Sequence, residues 1–133
     1  MLRLIIPGRT FTQGDDVNNS GEIVGFYVDT SGVEHGYLLS AGTFTSIDYP
    51  DAALTATTAI NDNGNIAGAT CPTSACDTTS EGEQGFVLSG GVFTPVAIPG
   101  EVGTYVNDIT NNGMLVGAYI DAAGLTVSFL AIP

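Results

Sequence analysis

The chain has 133 residues, with fourteen acidic side chains against two basic ones, a single histidine and a formal net charge of −12. Binding to phosphate backbones or anionic bilayers rests on Lys and Arg displacing counterions, so this charge excludes nucleic acid and membrane surfaces as partners. At 44% hydrophobic residues the chain fits a single folded domain that buries a core without metals or many disulfides.

The first seven residues, Met1-Leu2-Arg3-Leu4-Ile5-Ile6-Pro7, are too few for a secretory signal and carry no cleavage site, so any export signal is expected to lie outside this sequence. Beyond them one pattern returns three times. Val17-Asn-Asn-Ser-Gly-Glu-Ile-Val-Gly25 is followed 43 residues later by Ile60-Asn-Asp-Asn-Gly-Asn-Ile-Ala-Gly68, and 49 residues after that by Ile109-Thr-Asn-Asn-Gly-Met-Leu-Val-Gly117. Each is followed by a Gly-aromatic or Ser-aromatic motif: His35-Gly-Tyr-Leu38, Gln84-Gly-Phe-Val87 and Val127-Ser-Phe-Leu130. Two copies then close on Phe44-Thr-Ser-Ile-Asp-Tyr-Pro50 and Phe93-Thr-Pro-Val-Ala-Ile-Pro99. The spacing predicts one all-β domain of three four-stranded antiparallel units, over 8–50, 51–99 and 100–133, with residues 1–7 as an extra strand.

Within each unit the Asn-rich tetrad ending in Gly21, Gly64 or Gly113 is a hairpin turn. Asn and Asp bond their own backbone there, and glycine takes the left-handed position. A short strand ends in Val17, Ile60 or Ile109, and an apolar strand follows, such as 22–29 or 114–121. The third strand holds the aromatic motif. Gly90-Gly91 then makes a two-residue turn into the fourth; Ala41 is a less comfortable occupant of the same position. A helical turn near 51–55 is the one departure from strands. Gly25, Gly68 and Gly117 fall inside strands and are expected to mark the close approach of a neighbouring sheet.

The third unit ends at Ala131-Ile132-Pro133, before a closing segment. Aligning Pro7 with Pro50 and Pro99 sets Met1 opposite Phe44, so the N-terminus supplies the strand that the last unit wants. Leu2, Leu4 and Ile6 on one side, and Val127 and Phe129 on the other, are the candidate assembly strands. Pairing within one chain closes a compact threefold body, and pairing between chains makes a ring or a filament. Three blades are too few to close easily, which favours pairing between chains.

Cys71 and Cys76 lie in the extra segment of the middle unit and are expected to form a local disulfide, which points to an oxidising compartment. Asn61, Asp62 and Asn63 resemble the oxygen-rich start of a calcium loop, but the twelfth position holds Pro72 where a glutamate is needed, so they are weak metal candidates. No other cofactor is expected. Any nucleophile–base arrangement depends on His35, which the repeat accounts for as a motif position. Asp15, Asp16, Asp48 and Asp51 read as solvated turn acids.

The three motifs in this order resemble the HAF family of bacterial extracellular repeats, best in Asn18–Gly25, His35–Leu38 and Phe44–Pro50. Gln84 and Val127 depart from the family's histidine. The resemblance implies secretion and propeller-like blades, and no established activity. A β-trefoil or β-prism is the alternative architecture for three such units. Together these readings predict a non-enzymatic, self-associating extracellular protein of assembly, adhesion or structural interaction. A carbohydrate-binding module with a glycan partner is the alternative, and an extracellular hydrolase a further one.

Overall fold

A computed structural model describes residues 1, 3–76 and 82–133. The described residues form eleven strands: β1 (Arg9–Val17), β2 (Ile23–Asp29), β3 (Glu34–Ser40), β4 (Thr43–Ile47), β5 (Leu54–Ile60), β6 (Ile66–Cys71), β7 (Gln84–Ser89), β8 (Val92–Val96), β9 (Gly103–Ile109), β10 (Leu115–Ile120) and β11 (Thr126–Ala131). They build three antiparallel sheets in meander order, β1-β2-β3-β4, β5-β6-β7-β8 and β9-β10-β11. The second sheet lies between the other two, with β5 against β2 and β3 and β9 against β6 and β7.

Turn chemistry sets the hairpins. Gly21, Gly64 and Gly113 all take positive φ, between 78° and 82°. The β3–β4 and β7–β8 turns have two consecutive residues at positive φ, Ala41-Gly42 and Gly90-Gly91, the left-handed pair whose twist matches that of the strands. Near 51–55 there is no helix. Asp51 adopts a φ of 63°, and β5 begins at Leu54.

Two apolar layers sit between the sheets. Val24, Ile47, Ile60 and Ile66 join sheets one and two. Ala59, Ala67, Val106, Ile109 and Leu115 join sheets two and three. A third cluster, Ile6, Tyr27 and Tyr37, lies on the outward side of sheet one.

The strand glycines have a different cause from the one expected. A Cβ on Gly25, Gly68 or Gly117 would stand 2.0–2.2 Å from the carbonyl oxygen of Gln13, Ala56 or Tyr105. Those carbonyls belong to the paired strand of the same sheet, where the register slips by one residue at Gly14/Asp16, at Thr57/Ala59 and opposite Val116/Gly117. Each first strand thus carries a β-bulge whose carbonyl turns toward the neighbouring strand. Glycine is the residue that leaves room for it.

The sheets do not close on one another. The described residues of 1–7 form no strand, and β11 pairs with β10 alone. Within one chain, then, the terminal segment does not complete the last sheet, and the compact threefold closure is not made. Ile6 instead folds back onto Tyr27 and Tyr37 of sheet one.

Candidate assembly faces

The three Asn-rich turns stack into a ladder. In each, the first side chain holds its own turn: Asn18 Oδ1 accepts the N–H groups of Ser20 and Glu22, Asn61 Oδ1 those of Asn63 and Asn65, and Thr110 Oγ1 that of Met114. The side-chain amide then reaches the next turn. Asn18 Nδ2 donates to the Asn61 carbonyl (3.1 Å), and Asn61 Nδ2 donates to the Thr110 carbonyl (3.0 Å).

A second rail runs beside the first. The Asn19 N–H donates to Asp62 Oδ1 (2.9 Å), the Asp62 N–H to Asn111 Oδ1 (2.8 Å), and Asn63 Nδ2 to the Asn111 carbonyl (2.8 Å). Asp62 Oδ2 accepts from both Asn19 Nδ2 and Asn111 Nδ2. These donors, first among them the Asn19 N–H, hold the Asp62 carboxyl below its usual range. Of the calcium candidates, Asn61 and Asp62 spend their oxygens on these bonds and Asn63 presents its amide N–H. Among the described residues no three His, Cys, Asp or Glu side chains gather as metal ligands.

Deeper between the sheets, Thr57 Oγ1 donates to the Gly25 carbonyl (2.6 Å) and accepts the Gly25 N–H (3.2 Å). Asp16, expected as a solvated acid, bridges two sheets: Oδ1 accepts the Val17 N–H and Oδ2 the Ile60 N–H (2.9 Å). Asp108 stands at the matching position of the third unit and accepts the Ile109 N–H through Oδ1.

Matching positions differ in exposure according to whether a sheet covers them. Val24 and Ala67 are 0% exposed under the following sheet, while Val116 at the same repeat position is 43% exposed. Leu38 and Val87 pack into the two inter-sheet cores, whereas the matching Leu130 is 63% exposed. At the other end Val17 is 59% exposed where Ile60 and Ile109 are 4% and 5%. The molecule therefore has two open faces, and each is one half of a joint that the chain makes twice internally.

The five candidate strand residues fall as follows. Leu2 lies outside the described residues. Leu4 is partly exposed, and Ile6 is buried against sheet one. Val127 is half-buried, and Phe129 packs toward sheet two. The side chain that β11 turns outward is Leu130, which the sequence reading passed over. Aligning the units and asking which positions want a following sheet would have found it, together with Val116.

His35 stands beside Tyr27 on the outward side of sheet one. Its ring stacks on Tyr27 (5.0 Å between centroids), with Nδ1 2.6 Å from Asp48 Oδ1 and Nε2 3.2 Å from Asp29 Oδ2. Burial disfavours its charged form, but the hydrogen bonds and charges of Asp48 and Asp29 outweigh this and raise its pKa above the usual value. The Asp29 carboxyl is held low, first by the Val33 N–H and then by His35. Arg9 lies over the Tyr27 ring at 4.1 Å. Both ring nitrogens are thus engaged in a structural clamp that ties β2, β3 and the end of β4 together. Cys71 and Cys76 are disulfide-bonded and pack with Leu54.

No protein-family model matches the chain, and none of the characterised proteins compared with it matches either.

Proposed function

We propose that this is a non-enzymatic extracellular repeat protein whose work is assembly or adhesion, its ends paired between protomers into a ring or a filament. The observation that carries the reading is the pair of open faces: Val116 and Val17 are exposed where their counterparts are buried, and Leu130 is exposed where its counterparts Leu38 and Val87 are partly buried. A surface displayed at one end and its complement at the other make a heterologous pair. The open edge of β11 adds a row of backbone groups that a strand from another copy satisfies. The resemblance to secreted bacterial repeats supports this reading, and the Cys71–Cys76 disulfide is compatible with an oxidising compartment. Light scattering on the full chain tests it. Masses at multiples of 13.6 kDa that grow with concentration are expected, and a monomer at millimolar concentration overturns the reading.

A carbohydrate-binding role has one observation in its favour. A cleft of about 450 Å³ is lined by Tyr49, Asp51, Gln84 and Glu101 among others, a mixture of ring, carboxylate and amide suited to sugar hydroxyls. A glycan array with wild type and Glu101→Ala tests it: binding that the substitution removes supports the role, and no binding ends it.

A further inference from the structure

We infer that the joint between copies is the internal sheet-to-sheet joint repeated once more, with the turn 110–113 of one copy seated on the turn 18–21 of the next, and that Asp108 and Thr110 keep it weaker than the joints inside the chain. The inference rests on the assembly reading above and adds to it a register and two residues that set its strength.

The register follows from the ladder. Across the joint of sheets two and three, the Asp62 N–H and Asn63 Nδ2 are donors, and Asn111 Oδ1 and the Asn111 carbonyl accept them. The turn 110–113 offers the same donors outward, the Asn111 N–H and Asn112 Nδ2, on exposed residues. The turn 18–21 offers the same acceptors, because Asn19 stands at the matching position and commits its amide N–H, not its Oδ1, to Asp62. The apolar parts agree. Val116 and Leu130 present the surface that Val24 and Leu38 present to Ile60 and Ile66, and Val17 and Ile23 stand where those isoleucines do.

The N-terminal segment fits the same frame. Tyr49, ahead of Pro50, packs on Phe86 and Phe93 of the following sheet. Ile6, ahead of Pro7, packs on Tyr37 and Phe44, their counterparts in sheet one. Ile6 thus already rests on sheet one as Tyr49 rests on sheet two. With a second copy in place the segment around Leu4 runs along its β11, as β4 runs along β3.

Two positions break the pattern. By repeat position, Ala59 is the counterpart of Asp16 and Asp108, so each internal joint matches one carboxylate with an alanine: Asp16 reaches the Ile60 N–H across the first, and Asp108 holds the Ile109 N–H at the second. Between copies, Asp108 of one chain meets Asp16 of the next, and both address the same Val17 N–H, which Asp16 already holds. The two like charges oppose docking. In addition, Asn18 and Asn61 each send an amide N–H to the next turn, whereas the Thr110 hydroxyl turns inward to Asn112 Oδ1. One cross-joint hydrogen bond is therefore missing between copies.

Sedimentation of the full chain over a range of concentrations tests this, with wild type, Asp108→Ala/Thr110→Asn, Val116→Asp and Leu130→Asp. The double variant, which gives the third unit the residues of the second, is expected to associate about tenfold more tightly, as one recovered hydrogen bond and one removed repulsion imply. Val116→Asp and Leu130→Asp, at exposed positions and checked for an unchanged fold by circular dichroism, are expected to remain monomeric. If both aspartates abolish association but the double variant stays within twofold of wild type, the roles of Asp108 and Thr110 are overturned and the assembly reading stands. Association that survives both aspartates overturns the proposed register. If neither wild type nor the double variant associates, the assembly reading itself falls.

Discussion

Gly68→Ala probes the bulge in the central sheet. The added Cβ would lie 2.2 Å from the Ala56 carbonyl oxygen and 2.8 Å from Cζ of Phe86. The carbonyl is fixed by the bulge between Thr57 and Ala59, and Phe86, itself fully buried, is braced by Tyr49 and Phe93. Neither neighbour yields alone, so the substitution either opens the β5–β6 pairing or displaces the aromatic cluster. Overpacking of this kind costs about 1–3 kcal/mol, and backbone displacement sets the figure at the upper end, about 3 kcal/mol. For a chain of this size that lowers Tm by about 10 °C. Urea denaturation with an unchanged m-value checks it. Gly64→Ala is the comparison, because nothing lies within 4 Å of its Cβ and its φ of 78° supplies the whole cost. That cost is about 1 kcal/mol. A Gly68→Ala protein melting within 2 °C of wild type would refute the bulge geometry.

Three further outcomes are expected. Thr57→Val leaves the Gly25 backbone groups without their 2.6 and 3.2 Å partner and should cost about 1–3 kcal/mol by urea denaturation, with the native fold kept. Because the pKa of His35 is raised by Asp48 and Asp29 in the folded state, its contribution is full below the unfolded value of about 6.5 and is lost as pH rises through the folded value; an imidazole titration by NMR should show the raised pKa, and His35→Gln should flatten the fall in Tm over that window. Asp62 has the opposite sign: its depressed pKa gives stability above about pH 4 that is lost as pH falls through the folded value, and Asp62→Asn should weaken the acid-side loss in a Tm-against-pH series.

The all-β class and the succession of antiparallel hairpins were legible because turn chemistry is local. Asn18, Asn61 and the glycines three residues after each carry their conformations in their own side chains, or in the lack of one. The bulges were not legible, because a bulge is a property of two paired strands and only its glycine partner, Gly25, Gly68 or Gly117, leaves a mark in the sequence. Asp16 and His35 were hidden for a related reason. Their partners, Ile60 and the pair Asp29 and Asp48, are remote in sequence or on another strand, and an exposed acid reads as solvent-facing until the backbone N–H it accepts is in view. The exposure of Val116 and Leu130 is a matter of which sheet has a neighbour, and no single residue states it.

Disulfide trapping tests the pairing of ends most directly. In sheet one Gly36 stands opposite Ile47, and in sheet two Gly85 stands opposite Val96. The matching pair between copies is Ser128 and Leu4. Leu4→Cys and Ser128→Cys chains, mixed and oxidised under mild conditions, are expected to give a covalent pair of twice 13.6 kDa, with far less product from either chain alone or from Leu4→Cys with Thr126→Cys, two residues out of register. No mixed product, or equal yields at both registers, would contradict the account.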